Sequence, residues 1–109
     1  MAVTYKILGQ SSPSSGIVTT LYTVPSATSG VVSSVVVCNR DATTSTFNIA
    51  VVKSGSTLAD KDYIYCNLTL LGNDSFVANL GITLAAGDFI SIASSSDNLS
   101  FNLFGTEIT

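Results

Sequence analysis

The chain has 109 residues, a formal net charge of −3, and only 10% charged against 46% hydrophobic residues. Its four basic residues, Lys6, Arg40, Lys53 and Lys61, are scattered. That excludes the clustered positive charge needed for nucleic acid and the basic helix needed for a membrane surface. There is no histidine and there are only two cysteines, so one chain cannot supply the about four N or S ligands of a zinc site.

A chain of this length suits one domain, residues 1–109, able to bury a core without disulfide staples. Solubility falls to Ser, Thr and Asn, which give a neutral, hydroxylated exterior. No segment approaches the about 20 continuous apolar residues of a membrane span. The opening MAVTYKILGQ has no basic region leading into an apolar one, so synthesis and folding in a cytoplasm are expected. There, Cys38 and Cys66 are expected to be free, buried thiols, with a disulfide as the alternative.

The hydrophobic period is two almost throughout. Val3, Tyr5 and Ile7 alternate with Thr4 and Lys6, and GQSSPSSG (9–16) is a loop by composition. VTTLYTV (18–24) is a strand ended by Pro25, which has no donor to give a sheet. Residues 31–38 form a third strand, followed by the turn DATTS. Phe47, Ile49 and Val51 define a fourth, and KSGSTLADKD is a longer connection. In DYIYCNLTLL the set Ile64, Cys66, Leu68 and Leu70 alternates with Tyr63, Tyr65, Asn67 and Thr69, and the first set is expected to face inward. After the turn Gly72-Asn73-Asp74, the residues Phe76, Ala78, Leu80, Ile82 and Leu84 share a side. FISIA and LSFNLFG are the last two strands, with Leu99, Phe101 and Leu103 on one face.

Eight short strands separated by turn signals predict an all-β antiparallel sandwich, jelly-roll-like, with an Ig-like sandwich as the alternative. The buried Trp expected of the Ig-like form is absent.

Reactive constellations are missing. A Ser or Cys nucleophile lacks a histidine base, and no S-x-x-K occurs. Asp60 and Asp62 sit two apart with Lys61 between them and without calcium-loop spacing, so they read as a charged loop. Asp74 and Asp88 follow turn residues and suit local turn bonding. No phosphate-loop glycine pattern is present. No enzyme, cofactor or metal is expected.

The strand at 31–38 splits into Val31, Ser33, Val35, Val37 and Val32, Ser34, Val36, Cys38. Both sets are apolar near its end, whereas an antiparallel sheet normally keeps one face wet. Something must cover the second face: a loop, the N-terminal segment or another subunit. With so little charge, obligate association is expected. Tyrosine pairs an apolar body with a polar tip and arginine is a directional donor. Tyr5, Tyr22, Tyr63, Tyr65 and the lone Arg40 are therefore the candidate interface residues.

LYTVPSATSGVVSSVVVCNRDATTSTFNIAV, GITLAAGDFISI and the ending LSFNLFGTEI resemble a group of small β-sandwich virion proteins of tailed bacteriophages, especially phages of cyanobacteria. The resemblance runs from about Tyr5 to Ile108 and is strongest at Leu21–Pro25, Val35–Arg40 and Leu99–Ile108. KSGSTLADKDYIY matches the connecting segment, although Lys53 and Ser54 stand where a more basic, proline-containing stretch is expected. The resemblance implies a non-enzymatic structural protein located in the virion. Its first reading is a capsid decoration (cement) protein, a homotrimer bound to the major capsid protein. The alternative is a tail-fibre, baseplate or knob component that contacts host glycans.

Overall fold

Each stretch of alternation becomes a strand. The computed structural model describes all of residues 1–109 and contains β1 (Val3–Ser11), β2 (Thr19–Thr23), β3 (Ser29–Asn39), β4 (Ser45–Val52), β5 (Tyr63–Leu70), β6 (Ser75–Leu84), β7 (Phe89–Ser94) and β8 (Leu99–Ile108). One 3-10 turn, Asp60–Asp62, precedes β5.

The pairing follows a simple rule. β1 pairs with β8, β2 with β7, β3 with β6 and β4 with β5, all antiparallel. The chain is thus one long ribbon doubled back at the 53–62 connection. Pairing of β3 with β8 and of β4 with β7 rolls the ribbon into two sheets, β1-β8-β3-β6 and β2-β7-β4-β5. This is a jelly roll, the first of the two architectures expected, and not an Ig-like sandwich.

The core lies between the sheets. Phe47, Phe101, Ile49, Ile90, Ile92, Leu99 and Leu103 are fully buried there with Val32, Val35 and Val37. Phe47 meets Phe101 edge-on at 5.9 Å and tilts against Phe76 at 5.4 Å, geometries favoured by the ring quadrupole.

Bulges change which residues face that core. The β3 register slips between Val32 and Ser34 against both neighbours. Val32, Val35 and Val37 therefore all point inward, and the strict two-set split expected for 31–38 fails at Ser33. In β5 the correction is larger. Phe47 pairs with Leu68 but Ile49 pairs with Tyr65, so one extra residue is inserted. Asn67 absorbs it with φ +52, its N–H donating to Asn48 Oδ1 at 2.6 Å. Asn tolerates that left-handed backbone better than most residues. Leu68 and Leu70 keep their inward phase, but upstream the phase inverts: Tyr65 leans on the core, while Ile64 and Cys66 are exposed.

Polar side chains close the ends of the sandwich. Asn39, almost fully buried, donates its amide to the carbonyls of Thr43, Leu70 and Leu71, and its Oδ1 accepts from the Asp41 N–H. It ties the end of β3 to the turn leaving β5. Asp88 accepts from the N–H groups of Ser54 and Ala85 at 2.9 and 2.8 Å, and Asp74 from that of Ser75. Asp62 accepts from the Ala59 N–H and from Lys61 Nζ, so Asp62 serves local structure.

Candidate interaction surface

The two sheets treat their outer faces differently. On β2-β7-β4-β5, the outward residues Ala50 and Val52 are fully buried although they lie outside the core cluster. The 53–62 connection folds back over β4. Leu58, Val18 and Tyr63 line a cleft with Ala50 and Ala93, leaving about 10 Å³, room for one water at most. The chain supplies its own cover there.

On β1-β8-β3-β6 nothing plays that part. Reading across the strands, one row is Ile7, Phe104, Ser34, Asn79, and the next is Gln10, Asn102, Val36, Val77. On the other side of the bulges, Tyr5 lies opposite Thr106, then Val31 and Thr83, and Val3 lies opposite Ile108. Tyr5 is 83% exposed, Val77 61% and Ile7 50%. Phe104, Val31, Val36 and Ile108 are half-buried only by their neighbours in the sheet. No charged residue falls on this face. Four strands at about 4.8 Å spacing and ten residues of about 3.3 Å make roughly 600 Å² of sheet. That is the same order as the about 800 Å² per partner of a standard interface.

Three register slips set this face; one lies in β6, where Ile82 and Asn79 pair with Val32 and Ser34 and leave an extra residue on β6. The β1 register slips between Ile7 and Gly9, and that of β3 at Ser33, so both flank Phe104 and Gly105 of β8. A Cβ on Gly105 would collide with the Val31 carbonyl and press on Leu8. Glycine is what lets the bulged strands approach β8 from either side. In the same strand Leu99, Phe101 and Leu103 face the core as expected.

The charges of β1 and β8 lie on the inner side, at the rim. Glu107 Oε1 accepts from Lys6 Nζ at 3.0 Å, and Oε2 accepts from the Tyr22 hydroxyl at 2.7 Å. The Tyr22 hydrogen bond, and then Lys6, hold the Glu107 carboxyl below its ordinary value. Burial pushes the Tyr22 phenol well above its ordinary value, and the hydrogen bond and charge of Glu107 add to this. The Asp62 carboxyl is lowered by the Ala59 N–H and Lys61, and that of Asp88 by the Ser54 and Ala85 N–H groups.

Stability should therefore be flat from about pH 6 to 9, because no histidine titrates there. The lowered carboxylates stabilise the fold above their unfolded value of about 4, and that contribution is lost as pH falls through their folded values. Tyr22 contributes below about pH 10, and its contribution fades as pH rises beyond that. Urea midpoints across pH check this; Tyr22→Phe should remove much of the alkaline limb and leave the acid limb in place.

The five candidate interface residues scatter. Only Tyr5 lies on the bare face. Tyr22 is 8% exposed, with its hydroxyl committed to Glu107, so it offers no surface to a partner. Tyr63 and Tyr65 are half-buried in β5, and Tyr65 packs edge-on against Phe76 at 5.1 Å. Arg40 donates to Ser12 Oγ at 2.7 Å and to the Asp97 carbonyl at 2.9 Å, which ties the β1–β2 loop to the β7–β8 loop. The cysteines are free, but Cys66 is exposed and Cys38 half-buried, which corrects the expectation of two buried thiols. The face residues that composition did not single out are Val3, Ile7, Val36, Val77, Phe104 and Ile108. Their signal was apolar residues on both phases of β3 and β8.

No known protein family matches the chain, and no curated protein does. Among solved structures it is similar to a chain in the structure of infectious bursal disease virus, Gx strain, with a TM-score of 0.51 at 12% identity. The match covers 97% of this chain and 31% of that one. At that identity the likeness shows a shared fold: this chain spans about a third of the viral one, as a single jelly roll.

Proposed function

We propose that the chain is a non-enzymatic structural subunit of a virus particle, a bacteriophage decoration protein that stabilises its shell. The observation that carries this reading is the uncharged outer face of β1-β8-β3-β6, where exposed Tyr5, Ile7 and Val77 lie among neutral polar side chains and no other segment of the chain covers them. Jelly rolls recur in viral capsids and in lectins, and the likeness to the bursal disease virus chain fits the first use. In this reading the bare face packs on neighbouring shell subunits. Because it binds only the assembled lattice, it stabilises that lattice by mass action.

The tail-fibre, baseplate or knob reading would draw support from an exposed aromatic cluster beside aligned amides. The tyrosines do not form one, and Tyr5 stands alone on the face.

Quantitative mass spectrometry of particles purified from the source of the sequence tests this. A decoration protein is expected in a fixed, high ratio to the most abundant shell protein, and particles stripped of it should lose heat resistance and regain it on add-back. A few copies per particle would favour the tail, and absence from particles would overturn both readings.

A further inference from the structure

The 53–62 connection covers Ala50 on the outer side of β4. Toward the start of that strand, the outward residues Asn48 and Thr46 are only half-buried. Over them a cleft of about 260 Å³ opens. Its floor is Asn48 and Thr46 with Ala93 of β7, which pairs with Asn48. One wall is Val18 in the β1–β2 loop, and the Gly16 N–H pins that loop to the Ser94 carbonyl at 2.9 Å. The other side is Asn67, which the β5 bulge leaves exposed beside Asn48.

The hydrogen-bonding groups of the cleft are held in place and partly spare. Asn48 Oδ1 accepts from the Asn67 N–H at 2.6 Å, which fixes the amide and leaves Nδ2 as a donor with no partner in the chain. Ser95 Oγ accepts from the Thr46 N–H at 2.9 Å, which leaves its hydroxyl proton to donate. Asn67 adds an amide that both donates and accepts. Val18, 57% exposed, and the Ala93 methyl are the apolar part. No charged residue lines the cleft. An ionic ligand would lose water there without gaining an opposite charge. A wholly apolar one would bury the Asn48 and Ser95 donors unpaired. What satisfies both is an uncharged molecule with hydroxyls on its edge and C–H groups on its face. The volume is just below the about 300 Å³ at which small-molecule sites begin, so there is room for one ring and not for a chain of them.

We propose that this cleft binds a single neutral sugar residue, its hydroxyls on Asn48, Asn67 and Ser95 and the C–H face of its ring on Val18. Bulges beside binding sites re-aim a side chain, and here the β5 bulge delivers Asn67. The cleft lies on the sheet opposite the bare face, so a shell docked on β1-β8-β3-β6 would leave it open to solvent. The inference rests on the cleft and does not depend on the virion reading.

Amide NMR of the intact, isotopically labelled chain tests it, by titration with the methyl glycosides of glucose, galactose, mannose, fucose and N-acetylglucosamine. At least one should shift the Asn48 and Asn67 side-chain resonances saturably, with a roughly millimolar Kd for so small a ligand. Tyr5 and Val77 should not move. Asn67→Gly keeps the left-handed backbone and deletes only the amide, so the fold should hold while binding weakens about fivefold, the worth of one hydrogen bond. Val18→Asp sets a carboxylate under the C–H face of the ring and should weaken binding at least as much. Ile7→Asp on the bare face should leave it unchanged. No saturable shift with any of these sugars would overturn the proposal, as would shifts centred outside the cleft. So would full-strength binding by either cleft variant. Absence of the chain from particles would leave these results standing, so the two readings fail separately.

Discussion

Phe101→Ala is expected to destabilise the protein by about 3–5 kcal/mol, while Phe104→Ala in the same strand is expected to cost less than about 1 kcal/mol. Phe101 is fully buried against Phe47, so truncation removes a ring from a close-packed core and leaves a cavity. Phe104 is half-exposed on the bare face, so truncation there returns little surface to water. A domain of this size has about 5–15 kcal/mol in total. The Phe101 change should therefore remove a large part of it and lower Tm by roughly 15–25 °C. Paired urea and thermal melts of the two variants measure the difference directly. Equal losses would mean that β8 does not divide core from surface as described.

The second large effect concerns association and not folding. Tyr5→Ser combined with Ile7→Asp should leave stability within about 1 kcal/mol of the parent, because both residues are exposed in β1. Binding to the shell should weaken by about 4 kcal/mol, roughly a thousandfold, if each residue contributes as an interface anchor of about 2 kcal/mol. An apolar partner would meet an unpaired carboxylate where Ile7 was, which adds a desolvation penalty in the same direction. Co-sedimentation of parent and variant with stripped particles provides the measurement. Undiminished binding by a folded variant would move the contact elsewhere.

These predictions depend on different levels of information. The eight strands and the all-β sandwich followed from the sequence because period-two alternation and turn residues are local signals, while the pairing that makes it a jelly roll and not an Ig-like sandwich came from the structure. The inward set Leu99, Phe101 and Leu103 was legible for the same reason, since β8 keeps a regular phase. β3 and β5 were misread because a bulge inverts the phase, and alternation cannot register one extra residue. At Asn67 the insertion depends on a left-handed backbone and on an N–H bond to Asn48 in a neighbouring strand.

The tyrosines and Arg40 show the same limit. Tyr22 and Tyr5 are the same residue type in similar strands, yet one is buried on Glu107 and the other is open to solvent. Residue type sets what a side chain can bond to, and only the packing of distant segments sets whether it must do so inside the chain.

By itself, the sequence determined a single all-β sandwich with too little charge for nucleic acid, no histidine for chemistry near neutral pH, and more apolar surface than one core needs. The tertiary structure decided where that surplus goes. The 53–62 connection folds back to β4 and covers Ala50, while β1-β8-β3-β6 is left bare. The reason is physical: alternation is written in neighbours along the chain, but cover is a relation between segments far apart in it, and the choice of sheet was fixed only when the ribbon rolled up.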